Sequence, residues 1–239
     1  MNHDAPGEGI VAAGKGGEDI ETIDFISLGR GFSRMFWGLA LAAVLFLSQA
    51  KFEFFANIRL PACFLGIAFY CWGLLTLLRA GKISSGWNFH VGLALLLALL
   101  EIYFFPFVRW WRAMPYVSFF TFNVGALAAA VIVSLYLSNI IAADFFNRLS
   151  LKKERLESRI YAGTVAVFMA LPLLAAVVLA NFSARRYQTM FLDELAGLAH
   201  DVPIWLYIIV TVPYSLTLAV LWKARDRSYQ KFYQAGTTS

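Results

Sequence analysis

Long apolar runs separated by short charged segments make up most of the chain. A helix needs roughly 20 mostly apolar residues to cross the ~30 Å hydrocarbon core of a bilayer. Runs such as 92–100 do not alternate between apolar and polar residues as barrel strands do. The pattern therefore predicts an all-α protein, a polytopic transmembrane helix bundle with six spans. The expected spans are 32–50, 61–78, 88–108, 117–143, 160–182 and 203–222.

Composition supports this prediction and excludes the main alternatives. The chain has 239 residues, of which 60% are hydrophobic and 15% charged. A soluble domain has about 45–50% apolar and about 25% charged residues. A soluble globular enzyme, a disordered chain and a disulfide-stapled secreted fold are therefore excluded. The net charge is +5, but the chain has no soluble basic domain that could bind nucleic acid. We therefore expect the lipid bilayer to be a partner and nucleic acid not to be one.

Orientation follows from the lysines and arginines near the ends of the spans. The side that holds both termini, the loop between spans 2 and 3 and the loop between spans 4 and 5 carries fourteen of these residues, and the other side carries six. This bias predicts that both termini are cytoplasmic, in a bacterial inner membrane. Six of the seven tryptophans fall at predicted span ends, where this side chain is favoured, and only Trp72 lies deeper.

The segments divide into a membrane domain and flanking tails. Residues 1–24 are acidic and Gly-rich, so we expect a disordered cytoplasmic tail. Residues 25–34 mix apolar residues with two arginines and are expected to lie on the membrane surface. The six-helix domain then covers 35–222, and 223–239 forms a basic cytoplasmic tail.

Polar residues inside the spans are the first candidates for a site. Glu101 is the one carboxylate deep in a predicted span, and a charge there is costly, which makes it a functional candidate. It serves either as a proton or cation site or as a protonated group that holds helices together. Asn123, Ser134 and Ser138 lie on a stripe of small and polar residues in span 4, which favours helix packing or a polar path. Small-residue pairs at Gly38–Ala42 and Gly125–Ala129 also predict close helix packing.

Two prolines lie near the middle of predicted spans. Pro172 and Pro213 each remove one backbone hydrogen bond and favour a kink. Broken helices at mid-depth occur in transporters, so both are candidate hinges, although proline is also common in ordinary membrane helices.

The connector between spans 4 and 5 is rich in basic residues and is expected to be helical. Its cations are Arg148, Lys152, Lys153, Arg155 and Arg159. They form either a docking surface for a cytoplasmic partner or a solvated connector that sets the topology. The spacing of Lys153 and Glu157 predicts an ion pair between them.

No motif for chemistry is present. The sequence lacks nucleophile-elbow, zinc-protease, Walker A and dinucleotide motifs. Neither its three histidines nor Cys63 and Cys71 have a metal-binding spacing. We therefore expect no enzyme activity, no metal and no cofactor.

Two functions remain open from the sequence. The first is a non-catalytic membrane subunit that anchors or scaffolds a larger inner-membrane complex, through protein partners or through homo-oligomers. The second is a transporter or permease subunit, either proton- or cation-coupled through Glu101 or of the ABC type. The six-span layout with cytoplasmic termini is shared with ABC-type permease subunits.

Overall fold

The computed structural model describes residues 24–49, 59–114, 117–187, 194 and 204–237. Within these ranges the chain is helical and contains no strand. The helices are α1 (Phe25–Gln49), α2 (Arg59–Arg79), α3 (Trp87–Phe104), α4 (Phe107–Ala113), α5 (Ser118–Arg148), α6 (Lys152–Val165), α7 (Leu171–Tyr187) and α8 (Ile204–Thr237), and a π-helical segment, Ala166–Ala170, joins α6 to α7. The predicted all-α class is confirmed for this part of the chain.

Three helices of the described ranges are long and apolar enough to cross a membrane. They are Trp87–Phe104, Ser118–Arg148 and the continuous helix Lys152–Ala184. The apolar stretch Phe64–Arg79 in α2 is shorter. The protein thus has helices suited to contact with a lipid bilayer.

Glycines bring α1 and α2 into very close contact. A Cβ atom added to Gly38 would lie 2.5 Å from the backbone nitrogen of Tyr70 and 2.7 Å from the carbonyl oxygen of Gly66. A Cβ atom added to Gly66 would in turn lie 3.0 Å from the backbone nitrogen of Ala42. The predicted Gly38–Ala42 contact is therefore confirmed. Backbone touches backbone here, as expected for small residues between membrane helices.

Helix α5 occupies a central position because it packs against α3, α4, α6 and α8. Its stripe of small and polar residues faces inward, with Ala130, Ser134 and Ser138 buried. The Gly125–Ala129 prediction is wrong for the described structure. Gly125 is exposed, and a Cβ added there meets no atom within 4 Å. The pair lies on the opposite side of the helix from the inward-facing stripe.

The helix ends show how the elements alternate in direction. The amide of Asp24, which precedes α1, donates to the carbonyl of Ala80, which follows α2. His90 near the start of α3 contacts Asp144 near the end of α5. The start of α6 is joined to the second half of α8, where Lys223 reaches Glu157. These chain ends therefore lie together at one end of the bundle, which we call the basic end.

Several boundaries differ from those expected from the sequence. Residues 25–34 are not a separate surface segment, because they form the first turns of α1 without a break and bury Leu28 and Phe32. The connector after α5 is a short turn at 149–151, and α6 runs directly into the next predicted span. The tail 223–239 continues α8 as far as Thr237. Residues 1–23 lie outside the described residues.

The two prolines sit in different surroundings. Pro172 is the second residue of α7 and lies two positions after the end of the π-helical segment, where the five-residue hydrogen-bond spacing takes up irregularity in a helix. Pro213 is buried inside α8, which continues on both sides of it. A hinge role for either proline stays a prediction.

Candidate functional site

Glu101 lies on the inner face of α3, where it meets α5. Its side chain is buried, and the Ser134 hydroxyl donates to its Oε1 at 2.6 Å. Neighbouring turns of α3 fill this face with Ala94 and Ala98, which are small enough to let α5 approach. The carboxyl group is therefore enclosed by protein and anchored to one specific partner.

A second hydrogen-bonded pair lies one turn further along α5. The hydroxyl groups of Tyr70 in α2 and Ser138 are 2.8 Å apart, and Ser138 also donates to the carbonyl oxygen of Ser134 at 2.8 Å. Tyr70 is almost completely buried. Glu101, Ser134, Ser138 and Tyr70 thus form one buried group, which we call the polar cluster, contributed by α2, α3 and α5.

Asn123 does not belong to the polar cluster, although it shares the α5 stripe. It is buried, and its Nδ2 donates to the Phe119 carbonyl of the same helix at 2.6 Å. Eleven residues separate it from Ser134, so the two lie about 16 Å apart along the helix axis. The structure therefore brings together three of the four predicted intramembrane residues.

A neighbouring polar contact joins α5 to α8. The Nδ2 of Asn139 donates to the Thr217 hydroxyl at 2.8 Å, and both side chains are fully buried. The Oδ1 of Asn139 is buried without a hydrogen-bond partner in the described structure. A buried acceptor of this kind is costly unless a donor reaches it.

The basic end is held by ion pairs between α6 and α8. Arg227 contacts Glu154 at 2.9 Å, and Lys223 contacts Glu157 at 2.6 Å. Hydrogen bonding to its own backbone amide, followed by hydrogen bonding to Arg227, holds the pKa of Glu154 below its usual value. Glu157 is therefore paired with Lys223 of α8, and the interaction with Lys153 that its spacing suggests stays a prediction.

The cations of the predicted docking segment largely remain on the surface. Lys152, Lys153 and Arg159 are exposed on α6, and Arg148 is exposed at the end of α5, whereas Arg155 is half-buried. Leu156 and Ile160, with 60% and 53% of their surface exposed, lie on the same side of α6. We call the exposed surface formed by Lys152, Lys153, Leu156, Arg159 and Ile160 the α6 face.

Sequence reasoning missed the partners of these residues. Tyr70 is an ordinary aromatic residue in an apolar run, and nothing in its spacing points to Ser138. The half-buried pair His90–Asp144, at 2.9 Å, joins α3 and α5 at the basic end. Its members are 54 positions apart, and only the antiparallel packing of the two helices relates them.

Comparisons add no information about relatives. In the described residues, no group of three or more His, Cys, Asp or Glu side chains is placed to hold a metal ion. No family model, no curated protein and no solved structure matches the chain. The polar cluster and the α6 face are therefore the features of the described structure that bear on function.

Proposed function

We propose that the protein is a non-catalytic subunit of a larger complex in the bacterial inner membrane, with six spans and both termini in the cytoplasm. Three long apolar helices and the alternating directions of α1, α2, α3, α5, α6–α7 and α8 support this topology. The basic end then faces the cytoplasm, as the distribution of lysine and arginine favours.

The composition of the α6 face is the observation that carries this proposal. The two acids of α6 turn inward to α8, which leaves the cations on the surface beside exposed Leu156 and Ile160. Neighbouring exposed apolar side chains rimmed by polar residues are typical of an interaction surface, whereas single ones are ordinary. Exposed apolar residues within a ring of cations suit an acidic protein partner, because charge provides selectivity and apolar burial provides affinity.

A pull-down with matched charge variants tests the proposal. The protein is tagged at its C-terminus at natural expression level, extracted in mild detergent, and its partners are identified by mass spectrometry. Lys153→Glu reverses a charge on the α6 face, and Lys231→Glu reverses an exposed charge on α8. We expect a stoichiometric partner that is retained by Lys231→Glu and lost from Lys153→Glu. A wild-type protein that purifies without a partner would contradict the subunit function.

Proton- or cation-coupled transport is the second candidate, and the polar cluster favours it. Glu101 has a titratable carboxyl group at the interface of α3 and α5, and Ser134 and Ser138 connect it to the Tyr70 hydroxyl. Buried acids of membrane helices commonly mark proton or ion sites. The buried contact between Asn139 and Thr217 adds a second polar position in the same bundle.

Proteoliposomes separate the two candidates. Purified protein is reconstituted with a pH-sensitive dye inside the vesicles, and proton movement is recorded after an imposed ion gradient. Transport predicts a flux that Glu101→Gln abolishes and Asn123→Ala preserves. A flux equal to that of protein-free vesicles removes this candidate and leaves the polar cluster with a structural role.

A further inference from the structure

An arginine of α1 is held against an aromatic ring of α2 near the basic end. The guanidinium carbon of Arg34 lies 3.9 Å from the centre of the Trp72 ring. Its Nη1 donates to the Thr76 hydroxyl at 2.6 Å, and this hydroxyl donates to the Trp72 carbonyl at 2.8 Å. Trp72 is the one tryptophan that lies deeper than the predicted span ends, and its contact with Arg34 accounts for that position.

Two further arginines flank this contact. Arg30 lies one turn before Arg34 on the same face of α1, and Arg79 lies one turn after Thr76 on α2. Both are exposed. Because α1 and α2 run in opposite directions and touch through their glycines, these turns are neighbours at the end of the helix pair. The helix positions therefore place three arginines on one side of the α1–α2 pair.

The contacts of Arg34 leave N–H donors available to bind an anion. The bond to Thr76 uses one of the five N–H donors of Arg34, and stacking on Trp72 holds the planar group in place. The acid coupled to Arg30 is Asp24, whose carboxylate accepts hydrogen bonds from the amides of Ile26 and Ser27. That carboxylate acts as the N-cap of α1 and offsets one positive charge, which leaves the three arginines with a net positive charge.

We propose that Arg30, Arg34 and Arg79, with Trp72 and Thr76, bind the phosphate of an anionic phospholipid. Arg34 and the flanking arginines donate to the phosphate oxygens, since guanidinium forks match that geometry. Trp72 and Leu75, which have 51% and 39% of their surface exposed, contact the upper part of the acyl chains. The site depends on the location of α1 and α2 in a bilayer, and it is independent of any protein partner on the α6 face.

Native mass spectrometry with defined lipids tests the site. Purified protein is exchanged into detergent with equal amounts of phosphatidylglycerol and phosphatidylcholine, and the bound lipids are counted. We expect wild type to retain phosphatidylglycerol preferentially. Each guanidinium removed should weaken retention about fivefold, so Arg34→Gln loses most of the bound lipid. Arg109→Gln removes an exposed arginine far along the chain from this site and should behave like wild type.

The double variant Arg30→Gln/Arg79→Gln serves as a control for misfolding, because it leaves the Arg34–Thr76 contact intact. Loss of phosphatidylglycerol from this variant, with an unchanged melting temperature in phosphatidylcholine, supports a binding site. Arg34 would instead be only a structural clamp if Arg34→Gln lowered the melting temperature equally in both lipids while the double variant kept its lipid. Equal retention of the two lipids by wild type, or displacement of the lipid by millimolar inorganic phosphate, would overturn the proposal.

Discussion

At the scale of single residues, the Glu101–Ser134 contact is the feature on which the transport candidate depends. A hydrogen bond between membrane helices stabilises by less than its value in vacuum, because the unfolded chain in lipid also finds partners. The buried carboxyl group of Glu101 nonetheless accepts this hydrogen bond in the described structure. Removal of the hydrogen bond therefore leaves that group in a less polar environment.

Replacement of Ser134 by Ala tests this contact. We expect a loss of about 1–2 kcal/mol of stability, since the hydroxyl that donates to the buried carboxyl group of Glu101 is removed. Thermal unfolding in detergent measures the effect. Ser118→Ala, at an exposed position of the same helix, should leave the midpoint unchanged. Equal midpoints for all three proteins would show that the contact carries no stability.

The sequence identifies only one side of most contacts. Glu101, Ser134 and Ser138 are recognisable because each is a polar residue in an apolar run. Tyr70 and Trp72 are not, because aromatic residues are common in membrane helices and their partners lie on other helices. Arg34 counts only as a topology signal in the sequence, and its stacking on Trp72 becomes visible once α1 and α2 are packed.

At the scale of elements, the α1–α2 pair depends on the absence of side chains at its centre. A Cβ on Gly38 would approach backbone atoms of both Tyr70 and Gly66, and backbone cannot move aside as a flexible side chain can. The helices would therefore have to separate, and the register that places Arg34 over Trp72 depends on their contact.

Gly38→Ala should accordingly destabilise the protein, by about 1–3 kcal/mol from overpacking. Gly125→Ala is the matched control, because a Cβ there has open space and Ala is the better helix former. Unfolding midpoints of both variants in one detergent provide the comparison. A Gly38→Ala protein as stable as the Gly125→Ala protein would contradict the close packing of α1 and α2.

The contact of α6 with α8 should depend on pH. The folded-state pKa of Glu154 lies below its ordinary value of 4.5, so its carboxylate stabilises the fold above that pH. This contribution is lost as the pH falls below 4.5 through the folded-state pKa. Wild type and Glu154→Gln should differ in unfolding midpoint at about pH 7 and converge once the pH falls below the folded-state pKa of Glu154. Arg227→Gln should show the same convergence, and a difference that persists in acid would assign the effect to packing.

At the scale of the whole molecule, local pattern and long-range packing contribute differently. The all-helical fold class can be predicted directly from the apolar runs, and the central position of α5 can be predicted from its small-residue stripe. The ends of the helices cannot be predicted in this way, because the sequence pattern marks where charged residues begin and not where a helix ends. Helices α5, α6 and α8 extend past the apolar runs into charged sequence, where the ion pairs of Glu154 and Glu157 support two of them.

Labelling of single cysteines tests the arrangement of the whole chain in the membrane. Lys82→Cys and Ser150→Cys lie at the basic end, and Met114→Cys follows α4; all three positions are exposed. In a background that lacks Cys63 and Cys71, a membrane-impermeant maleimide should label Met114→Cys in intact cells. It should label the other two only after permeabilisation, because the proposed topology places the basic end in the cytoplasm. The reverse labelling pattern would show that the protein has the opposite orientation in the membrane. Labelling of all three positions from one side would exclude the six-span arrangement.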